Sequence, residues 1–464
     1  MKHLYIIGIC GTAMAGIAAL AQDAGWRVTG SDSGVYPPMS TFLGERGIPI
    51  HDGFRAANLD AEAKPDMILV GNTISRGNPE LEAVLDRAWP YRSGAEWIHR
   101  HMLEGRHPVV VTGTHGKTTT SSMISWLWEH AGWKPGFLIG GIPANFNQGV
   151  RFPESPWVVL EGDEYDTAFC DKRSKFLHYH PRTLILHNLE FDHADIYADL
   201  EAIRIQFRHL LRLVPQSGVI LAHGDDPEIE TLAQGAFGPV RRYGLEGDYE
   251  FKARLDRPDG RAWTVMRDGE RLFSVSWPYL GRHNVLNGLA AAAAALSHNM
   301  DPETVRAGLE SFKGVRRRLQ LRFEAKGISV YDDFAHHPTA IATTLEGVQA
   351  AVGESGRVWA VVEPRSNTMR RRIHQDRIPT ALQAADRVLL ARPAANGLAD
   401  KELLDVEQVV HDLNANQPGM AQVVEDAKGA IDQLVTHVQS GDHVIIMSNG
   451  GFGGIHERLQ SALA

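Results

Sequence analysis

The sequence lacks several features that would place it in a specialised class of protein. Only two cysteines, Cys10 and Cys170, occur in 464 residues, which excludes a disulfide scaffold and favours a reducing compartment. The formal net charge is −9, so there is no basic surplus for a nucleic-acid backbone. No apolar run reaches the ~18 residues of a membrane span, and the N-terminus has no secretory pattern. We therefore expect a cytoplasmic protein that binds neither nucleic acid nor membrane.

What is present is the pattern of a large α/β protein. Hydrophobic residues make up 43% and charged residues 22%, and the length corresponds to roughly three domains. Short apolar runs alternate with helical patterns, and several runs end directly in Gly, Asp, Asn or His, as in parallel sheets that bind ligands beyond their strands. Residues 248–278 differ, since alternating polarity and two turns predict an antiparallel meander. The runs that we interpret as strands are 4–9, 67–70, 109–112, 157–160, 184–186, 219–221, 329–331, 358–362, 388–390 and 444–447.

The strongest local motif is Gly-Thr-His-Gly-Lys-Thr-Thr-Thr at residues 113–120, between an apolar strand and a helical pattern. This is the context of a phosphate-binding loop, in which glycines let backbone N–H groups surround phosphate oxygens. Lys117 can reach the β- and γ-phosphates, and Thr118 can bind Mg²⁺. The spacing departs from the usual motif because only two residues separate Gly113 from Gly116. A tight glycine turn is the alternative, but the Lys-Thr pair favours a nucleoside triphosphate, which motors, kinases and ligases all use.

Two acid-rich segments follow apolar runs downstream of this loop, at 158–166 and 184–193. If both strands lie in the same sheet as the loop, Glu161 and His193 gather at one edge, where they can hold a divalent cation. Helix caps or solvated loops are the alternative for any single acid. Asp333 and His336 follow a later strand, and Asn284 and Asn287 share a helix face where amides can bracket a base or a ribose.

Two further segments are open to more than one interpretation. The triple arginine that ends in Arg317 and Arg318 is either a solvated charge run or a source of guanidinium for phosphate charge. The loop from Gly8 to Gly16, with Asp32 after the next strand, fits either a nicotinamide dinucleotide or another diphosphate. Cys10 stands where a dinucleotide loop would have its second glycine.

Over essentially its whole length, the chain resembles the Mur ligase family in the order and spacing of its motifs. These motifs are the 113–120 loop, Glu161, His193, Asn284-x-x-Asn287, Arg317-Arg318 and Asp333-x-x-His336. The resemblance implies Rossmann-like N- and C-terminal domains around a central P-loop ATPase domain. The implied domains are a UDP-sugar domain at 1–106, an ATP-binding domain at 107–320 and a domain for the amine substrate at 321–464.

The resemblance also implies an ATP-dependent, ADP-forming ligase that uses Mg²⁺ and attaches an amine to the carboxylate of UDP-N-acetylmuramate. Segments 35–41, 363–370 and 448–456 resemble the branch of the family whose amine is the tripeptide L-alanyl-γ-D-glutamyl-meso-diaminopimelate, which reuses cell-wall peptide. The alternative is the branch that uses free L-alanine in peptidoglycan biosynthesis. A regulatory or motor ATPase and a nicotinamide oxidoreductase are rivals from other classes. We expect a monomer or a weak homodimer.

The site residues implied by the resemblance fall into five groups. The implied catalytic residues are Lys117, Glu161, His193 and Arg318. The implied metal ligands are Thr118, Glu161 and His193. The implied ATP-binding residues are Gly113, Thr114, His115, Gly116, Lys117, Thr118, Thr119, Asn284, Asn287, Arg318, Asp333 and His336. The implied residues for the UDP-sugar are Gly8, Gly11, Thr12, Met14, Asp32 and Asn72, and those for the amine are Arg365, Ser366, Asn367, Ser448, Asn449 and Phe452.

One absence separates branches of the family. No lysine occurs between Lys175 and Lys252. Several Mur ligases carry a carbamoylated lysine on the helix after the His193 position, here 201–213, so the resemblance is to the branches without it. The segment 171–176, Asp-Lys-Arg-Ser-Lys-Phe, is an additional basic stretch to which the sequence assigns no role.

Overall fold

The computed structural model describes residues 1–37, 39–61 and 63–464, which form two compact units. The first unit contains Met1–Leu189, Glu201–Tyr243 and Ala290–Gly308. The second unit contains Glu190–Leu200, Gly244–Leu289 and Leu309–Ala464. The short segment Glu190–Leu200 therefore belongs to the second unit, although the residues on both sides of it belong to the first.

The first unit begins with a parallel sheet of five short strands. These are β1 His3–Ile7, β2 Arg27–Asp32, β3 Ile50–Asp52, β4 Met67–Val70 and β5 Tyr91–Ser93. The accompanying helices are α1 Thr12–Asp23, α2 Met39–Glu45, α3 Pro79–Asp86 and α4 Gly94–Ile98. The strand order is β3-β2-β1-β4-β5. All residues of the central strand β1 are buried, which explains why its sequence is a continuous apolar run from Leu4 onward.

A second sheet follows in the same unit. The next strands are β6 His107–Thr112, β7 Gly136–Leu138, β8 Val150–Arg151, β9 Trp157–Gly162, β10 Asp166–Ala168, β11 Asp171–Ser174, β12 Thr183–Leu186, β13 Val219–His223 and β14 Val240–Gly244. The helices are α5 Lys117–His130, α6 Leu200–Leu211 and α7 Pro227–Ala233. Seven of the strands follow one another in the order β14-β13-β12-β6-β9-β7-β8, while β10 and β11 form a separate antiparallel hairpin. Because β6 lies between β12 and β9 and pairs parallel with both, the segments after these three strands are neighbours.

The second unit contains the predicted antiparallel meander, with β15 Phe251–Leu255, β16 Ala262–Arg267 and β17 Glu270–Ser276. Two helices follow in the chain, α8 Arg282–Ser297 and α9 Pro302–Glu310. The turn between β16 and β17 has positive φ at Asp268 and at Gly269, a conformation that suits a two-residue hairpin.

The C-terminal part of the second unit is a six-stranded sheet between helices. Its strands are β18 Gln320–Ala325, β19 Ile328–Asp333, β20 Val358–Val362, β21 Arg387–Ala391, β22 Ala421–Val424 and β23 His443–Met447. Its helices are α10 Pro338–Val352, α11 Ile378–Leu382, α12 Val406–Asn416, α13 Ala427–His437 and α14 Ile455–Leu463. The order is β18-β19-β23-β20-β21-β22. Side chains of β20 enter two apolar cores alternately, Val358 and Ala360 one core and Trp359 and Val361 the other, so the strand is apolar at every position.

A strand is present at every run that the sequence predicts as a strand, and the predicted antiparallel meander is confirmed. The run 4–9 ends early because Gly8, with φ 84°, turns the chain into a loop. The helix predicted over 201–213 ends at Leu211, and the N–H of Leu213 bonds to the carbonyl of Leu210 in a tighter turn two residues before Pro215. Within the described residues, no helix combines the length and apolar composition needed to cross a membrane.

Candidate active site

The predicted phosphate loop connects the buried strand β6 to helix α5, as its sequence context requires. Gly113 has φ 137° and Gly116 has φ 82°, backbone conformations that L side chains rarely adopt. A Cβ at Gly113 would lie 2.9 Å from the backbone N of Asn188, so a side chain there has no room. Helix α5 starts at Lys117, directly after Gly116, and its N-terminal dipole favours an anion at the loop.

Asn188, which the sequence analysis did not single out, fixes the backbone of this loop. Its side-chain Oδ1 accepts a hydrogen bond from the N–H of His115 at 2.7 Å, and its Nδ2 donates to the carbonyl of His115 at 3.1 Å. The N–H of Thr114 donates to the backbone carbonyl of Asn188 at 3.0 Å. The N–H groups of Thr114 and His115 are therefore engaged within the protein, and the groups from Gly116 onward line the start of the helix. Asn188 lies in the acid-rich segment 184–193, in which only the acidic residues and histidines were considered as metal ligands.

Glu161 and Thr118 meet at the edge of the sheet. Glu161 lies in the second half of β9, next to β6, and its Oε1 accepts the hydroxyl proton of Thr118 at 2.6 Å. Its other oxygen accepts the N–H of Gly140 at 2.7 Å. Burial raises the pKa of the Glu161 carboxyl, and Asp163 adds to this. A hydroxyl and a carboxylate in contact are the oxygen donors that Mg²⁺ prefers.

Lys117 is buried, with 9% of its surface exposed, and pairs with a second carboxylate. Its Nζ lies 2.9 Å and 3.2 Å from the two carboxylate oxygens of Glu164, and 2.6 Å from the carbonyl oxygen of Gly113. Burial alone would lower the pKa of Lys117, but the charges of Glu164, Asp163 and Glu161, with the hydrogen bond to Glu164, together outweigh it and the pKa is raised. Lys117 is therefore a cation. Glu164 lies in the acid-rich segment 158–166, and its pairing with Lys117 was not predicted.

The predicted UDP-sugar loop follows β1. Gly8 has φ 84°, Gly11 caps helix α1, and Thr12 is the exposed first residue of that helix. Asp32, at the end of β2, accepts the N–H of Cys10 at 2.8 Å and that of Gly34 at 2.9 Å, so both carboxylate oxygens hold backbone.

The other members of the predicted UDP-sugar site differ in exposure. Met14 is buried and Asn72 is partly exposed after β4.

Both cysteines of the chain are free. Pro38, in the segment that resembles the peptide-using branch, lies outside the described residues.

In the second unit, Asn284 and Asn287 share one face of α8, as their spacing predicts. Nδ2 of Asn287 lies 3.4 Å from Oδ1 of Asn284, and Asn284 also donates to the carbonyl of Leu280 at 2.8 Å. Asn287 is 3% exposed.

The predicted trio Arg318, Asp333 and His336 also lies in the second unit, together with Phe334. The Arg318 guanidinium stands 5.0 Å from the centroid of the Phe334 ring. Asp333 accepts the N–H groups of Leu319 at 2.6 Å and Ala335 at 2.7 Å, and burial raises the pKa of its carboxyl. His336 Nδ1 is 2.8 Å from the carbonyl oxygen of Phe334. Asp333 therefore joins the turn after Arg318 to the turn that carries His336.

His193 lies in the segment Glu190–Leu200 and has φ 55°, which marks a tight turn. The segment is held within the second unit by helix α10 and by the loop after β20. Asn367 donates to Asp195 at 2.8 Å, and Glu190 accepts from Thr339 at 2.8 Å. Burial would raise the pKa of Asp192, but the neighbouring imidazole of His193 and that of His336 hold it well below its usual range.

Two segments predicted to bind the amine meet at the carboxyl ends of β20 and β23. The Arg365 guanidinium lies against Gly450, where even a Cβ would collide with it. The Ser448 hydroxyl donates to the Glu363 carboxylate, and Arg317 donates to the carbonyls of Ser448 at 2.7 Å and Gly450 at 2.6 Å.

The remaining members of this set have different environments. Ser366 Oγ accepts the N–H of Met369 at 3.1 Å. Oδ1 of Asn449 is buried and has no hydrogen-bond partner among the described residues. Phe452 is 6% exposed and packs in the apolar core of the sheet, so its role in the structure is packing.

Comparisons with known proteins cover all three sheets. Residues 3–106 match the Mur ligase family, catalytic domain; residues 111–295 match the Mur ligase middle domain; and residues 317–450 match the Mur ligase, glutamate ligase domain. The chain is 47% identical over 463 residues to the UDP-N-acetylmuramate–L-alanyl-γ-D-glutamyl-meso-2,6-diaminoheptandioate ligase of Escherichia coli, covering 100% of this chain and 98% of that protein.

Two further relatives extend the comparison. The chain is 36% identical over 374 residues to the UDP-N-acetylmuramate–L-alanine ligase of Rubrobacter xylanophilus, covering 80% of each. The crystal structure of a murein peptide ligase from Psychrobacter arcticus superposes with a TM-score of 0.74 at 40% identity, covering 100% of this chain and 99% of that one. The predicted family and its three-domain architecture are thus confirmed, and the chain belongs to the Mur ligase family.

Proposed function

We propose that the protein joins the carboxylate of UDP-N-acetylmuramate to the amine of L-alanyl-γ-D-glutamyl-meso-diaminopimelate and converts ATP to ADP and phosphate. The full-length identity of 47% to a ligase named for these substrates supports this choice over free L-alanine, for which the relative is 36% identical over 80% of the chain. The reaction reuses a preformed peptide, and we assign it to the recycling of cell-wall peptide. The cytoplasm, which holds ATP and keeps thiols reduced, is the proposed location.

One observation carries the proposal. The Thr118 hydroxyl and the Glu161 carboxylate are 2.6 Å apart, beside a buried, charged Lys117 at the start of a helix. This arrangement supports a triphosphate site, because a lysine ammonium and oxygen ligands stand beside the backbone of a glycine loop. A nicotinamide enzyme has no use for these groups, so the loop supports a reaction of a nucleoside triphosphate, and the family supports ligation.

The chemistry needs ATP because a carboxylate is a poor electrophile at neutral pH. A carboxylate oxygen of the muramyl group attacks the γ-phosphorus, the bond to the β-phosphate oxygen breaks, and ADP leaves. The amine then attacks the acyl carbon of the resulting acyl phosphate, the C–O bond to phosphate breaks, and the amine loses a proton. Lys117 offsets the negative charge that gathers in the first step, and we assign Arg318 the same task.

Thr118 and Glu161 fit a Mg²⁺ ion because both offer oxygen donors, the ligands that this ion prefers. The ion would neutralise phosphate charge when bound. The part of His193 as a ligand stays a prediction from the sequence. The same holds for the domain limits at 1–106, 107–320 and 321–464 and for a monomer or weak homodimer.

We assign the remaining predicted residues by the chemistry of their surroundings. Asn284, Asn287, Asp333 and His336 would orient the nucleotide, and Gly8, Gly11 and Thr12 would face the diphosphate of the UDP-sugar. Asp32 supports that loop through Cys10 rather than through the ligand. For the amine, Asn449 offers a buried, unpaired carbonyl oxygen to an ammonium, and Arg365 offers a guanidinium to a peptide carboxylate. Met14, Asn72 and Phe452 would act by shaping these sites.

The test is phosphate release from ATP in the presence of UDP-N-acetylmuramate and Mg²⁺, with the tripeptide or with L-alanine as the amine. We expect turnover with the tripeptide and little or none with L-alanine. Turnover with L-alanine alone would assign the protein to the biosynthetic branch. A rate of phosphate release that does not depend on UDP-N-acetylmuramate would contradict the assignment as a ligase.

A further inference from the structure

The P-loop lysine is folded back onto its own loop. An ammonium group has three protons to donate. Lys117 Nζ has four acceptors within 3.4 Å: the carbonyls of Gly113 and Thr114 and both carboxylate oxygens of Glu164. The ion pair is buried, since Lys117 is 9% and Glu164 is 3% exposed. For Nζ to bond a phosphate oxygen, at least one of these acceptors must be released.

Glu164 is held from behind by the hairpin of β10 and β11. Its backbone carbonyl accepts the hydroxyl proton of the buried Ser174 at 2.8 Å, and the carbonyl of Tyr165 accepts the N–H of Lys175 at 2.9 Å. Within the hairpin, the Thr167 hydroxyl donates to the carbonyl of Arg173 at 2.8 Å. Residues 171–174 of the basic segment 171–176, to which the sequence assigns no role, thus form one strand of the hairpin that holds the backbone of Glu164.

The tip of the hairpin is anchored in the first sheet. Phe169 packs against the apolar cluster that includes Tyr5 and Ile7, and its ring centroid lies 5.8 Å from that of Tyr91. The hairpin therefore connects the core beneath the predicted UDP-sugar loop to the carboxylate that holds Lys117.

The same carboxylate opposes an incoming phosphate in two ways. It competes with phosphate oxygens for the protons of Nζ, and its charge repels theirs in a buried environment where charges are weakly screened. A neutral amide of the same shape would still accept one hydrogen bond from Nζ but would compete less, because a hydrogen bond to a charged group is stronger than one to a neutral group.

We propose that Glu164 is a positioning residue that holds Lys117 in a retracted state until the triphosphate displaces it, and that the 166–174 hairpin sets the position of Glu164. This rests on the proposed function, since it concerns the nucleotide site of that ligase. Lys117 must exchange its bond to Glu164 for a bond to phosphate when the nucleotide binds. This exchange weakens nucleotide binding and so favours the release of ADP after each turnover.

The test is the affinity of the purified full-length enzyme for ADP and ATP, measured by calorimetry with Mg²⁺. Glu164→Gln should bind both nucleotides roughly five- to ten-fold more tightly than the wild type, the difference between a charged and a neutral acceptor. Asp163→Asn is the matched control. It removes the same charge from the neighbouring position without a direct bond to Nζ, and its affinity should change less than two-fold. An unchanged or lower affinity in Glu164→Gln overturns the proposal.

Thermal unfolding separates positioning from a merely structural role. Glu164→Gln should unfold at a lower temperature without nucleotide, while saturating ADP should raise its unfolding temperature by more than it raises that of the wild type. Equal shifts in both proteins would contradict the proposal. If Glu164→Gln does not fold, Glu164→Asp takes its place, since its shorter side chain weakens the contact with Nζ and should also tighten ADP binding. A wild type that binds no ATP would instead refute the proposed function.

Discussion

Replacing Asn188 by Ala should loosen the phosphate loop without touching a group that contacts substrate. The variant loses two hydrogen bonds to the backbone of His115, at 2.7 Å and 3.1 Å, and keeps the backbone bond from Thr114. Each bond contributes about 0.5–1 kcal/mol net, so the observed conformation of the loop becomes less stable by about 1–2 kcal/mol relative to other conformations of the loop. Since about 1.4 kcal/mol corresponds to a ten-fold change, we expect ATP affinity to fall by about five- to thirty-fold.

The chain offers a matched control for this variant. Asn414 holds the backbone of Ala421 in the same manner, accepting from its N–H at 2.9 Å and donating to its carbonyl at 2.9 Å. Asn414→Ala should lower the unfolding temperature to a similar extent as Asn188→Ala, yet leave the Kd for ATP unchanged. The measurements are Kd for ATP by calorimetry and the unfolding temperature by scanning calorimetry. If Asn188→Ala loses stability but keeps its ATP affinity, the loop does not depend on this clamp.

Three other predictions follow from the same structure. Lys117→Ala should abolish ligation, measured as phosphate release, while its circular dichroism spectrum stays that of a folded protein; full activity would refute the P-loop assignment. Glu161→Gln should raise the Mg²⁺ concentration needed for half-maximal rate at least ten-fold, and an unchanged requirement would remove Glu161 from the metal site. Burial lowers the pKa of His107 and of His298 to about 4, so these rings are neutral when folded and the unfolded chain takes up protons first. Stability should therefore fall as pH drops from about 6.5 towards 4, and His298→Gln should show a smaller fall.

The fold could be predicted largely from the sequence because its signals are local. Strand β20 is apolar at every position since both faces of its sheet are covered, and the glycine loop stands between a strand and a helix that each have their own pattern. The placement of Glu161 beside the loop needed only the assumption that its strand lies in the same sheet as the strand before the loop, and the pairing of β9 with β6 confirms it.

What could not be predicted depends on contacts between residues distant in the chain. The bond from Asn188 to His115 spans 73 residues, and the pair of Lys117 with Glu164 spans 47. No periodicity encodes which of several neighbouring acids points at a lysine. The packing of Phe452 in the apolar core could not be predicted either, because its segment resembles a substrate-binding segment and carries no signal for burial. The hydrogen bonds from the N–H groups of Cys10 and Gly34 to Asp32 were not predicted, and the place of Asp32 at the UDP-sugar stays a prediction.

The central claim is that this P-loop activates the muramyl carboxylate as an acyl phosphate, and an isotope experiment tests it directly. UDP-N-acetylmuramate labelled with ¹⁸O in the carboxylate is incubated with ATP, Mg²⁺ and the tripeptide, and the released phosphate is analysed by mass spectrometry. One labelled oxygen should appear in phosphate for each amide bond formed, because the C–O bond to phosphate breaks in the second step. Amide product accompanied by unlabelled phosphate would contradict the account.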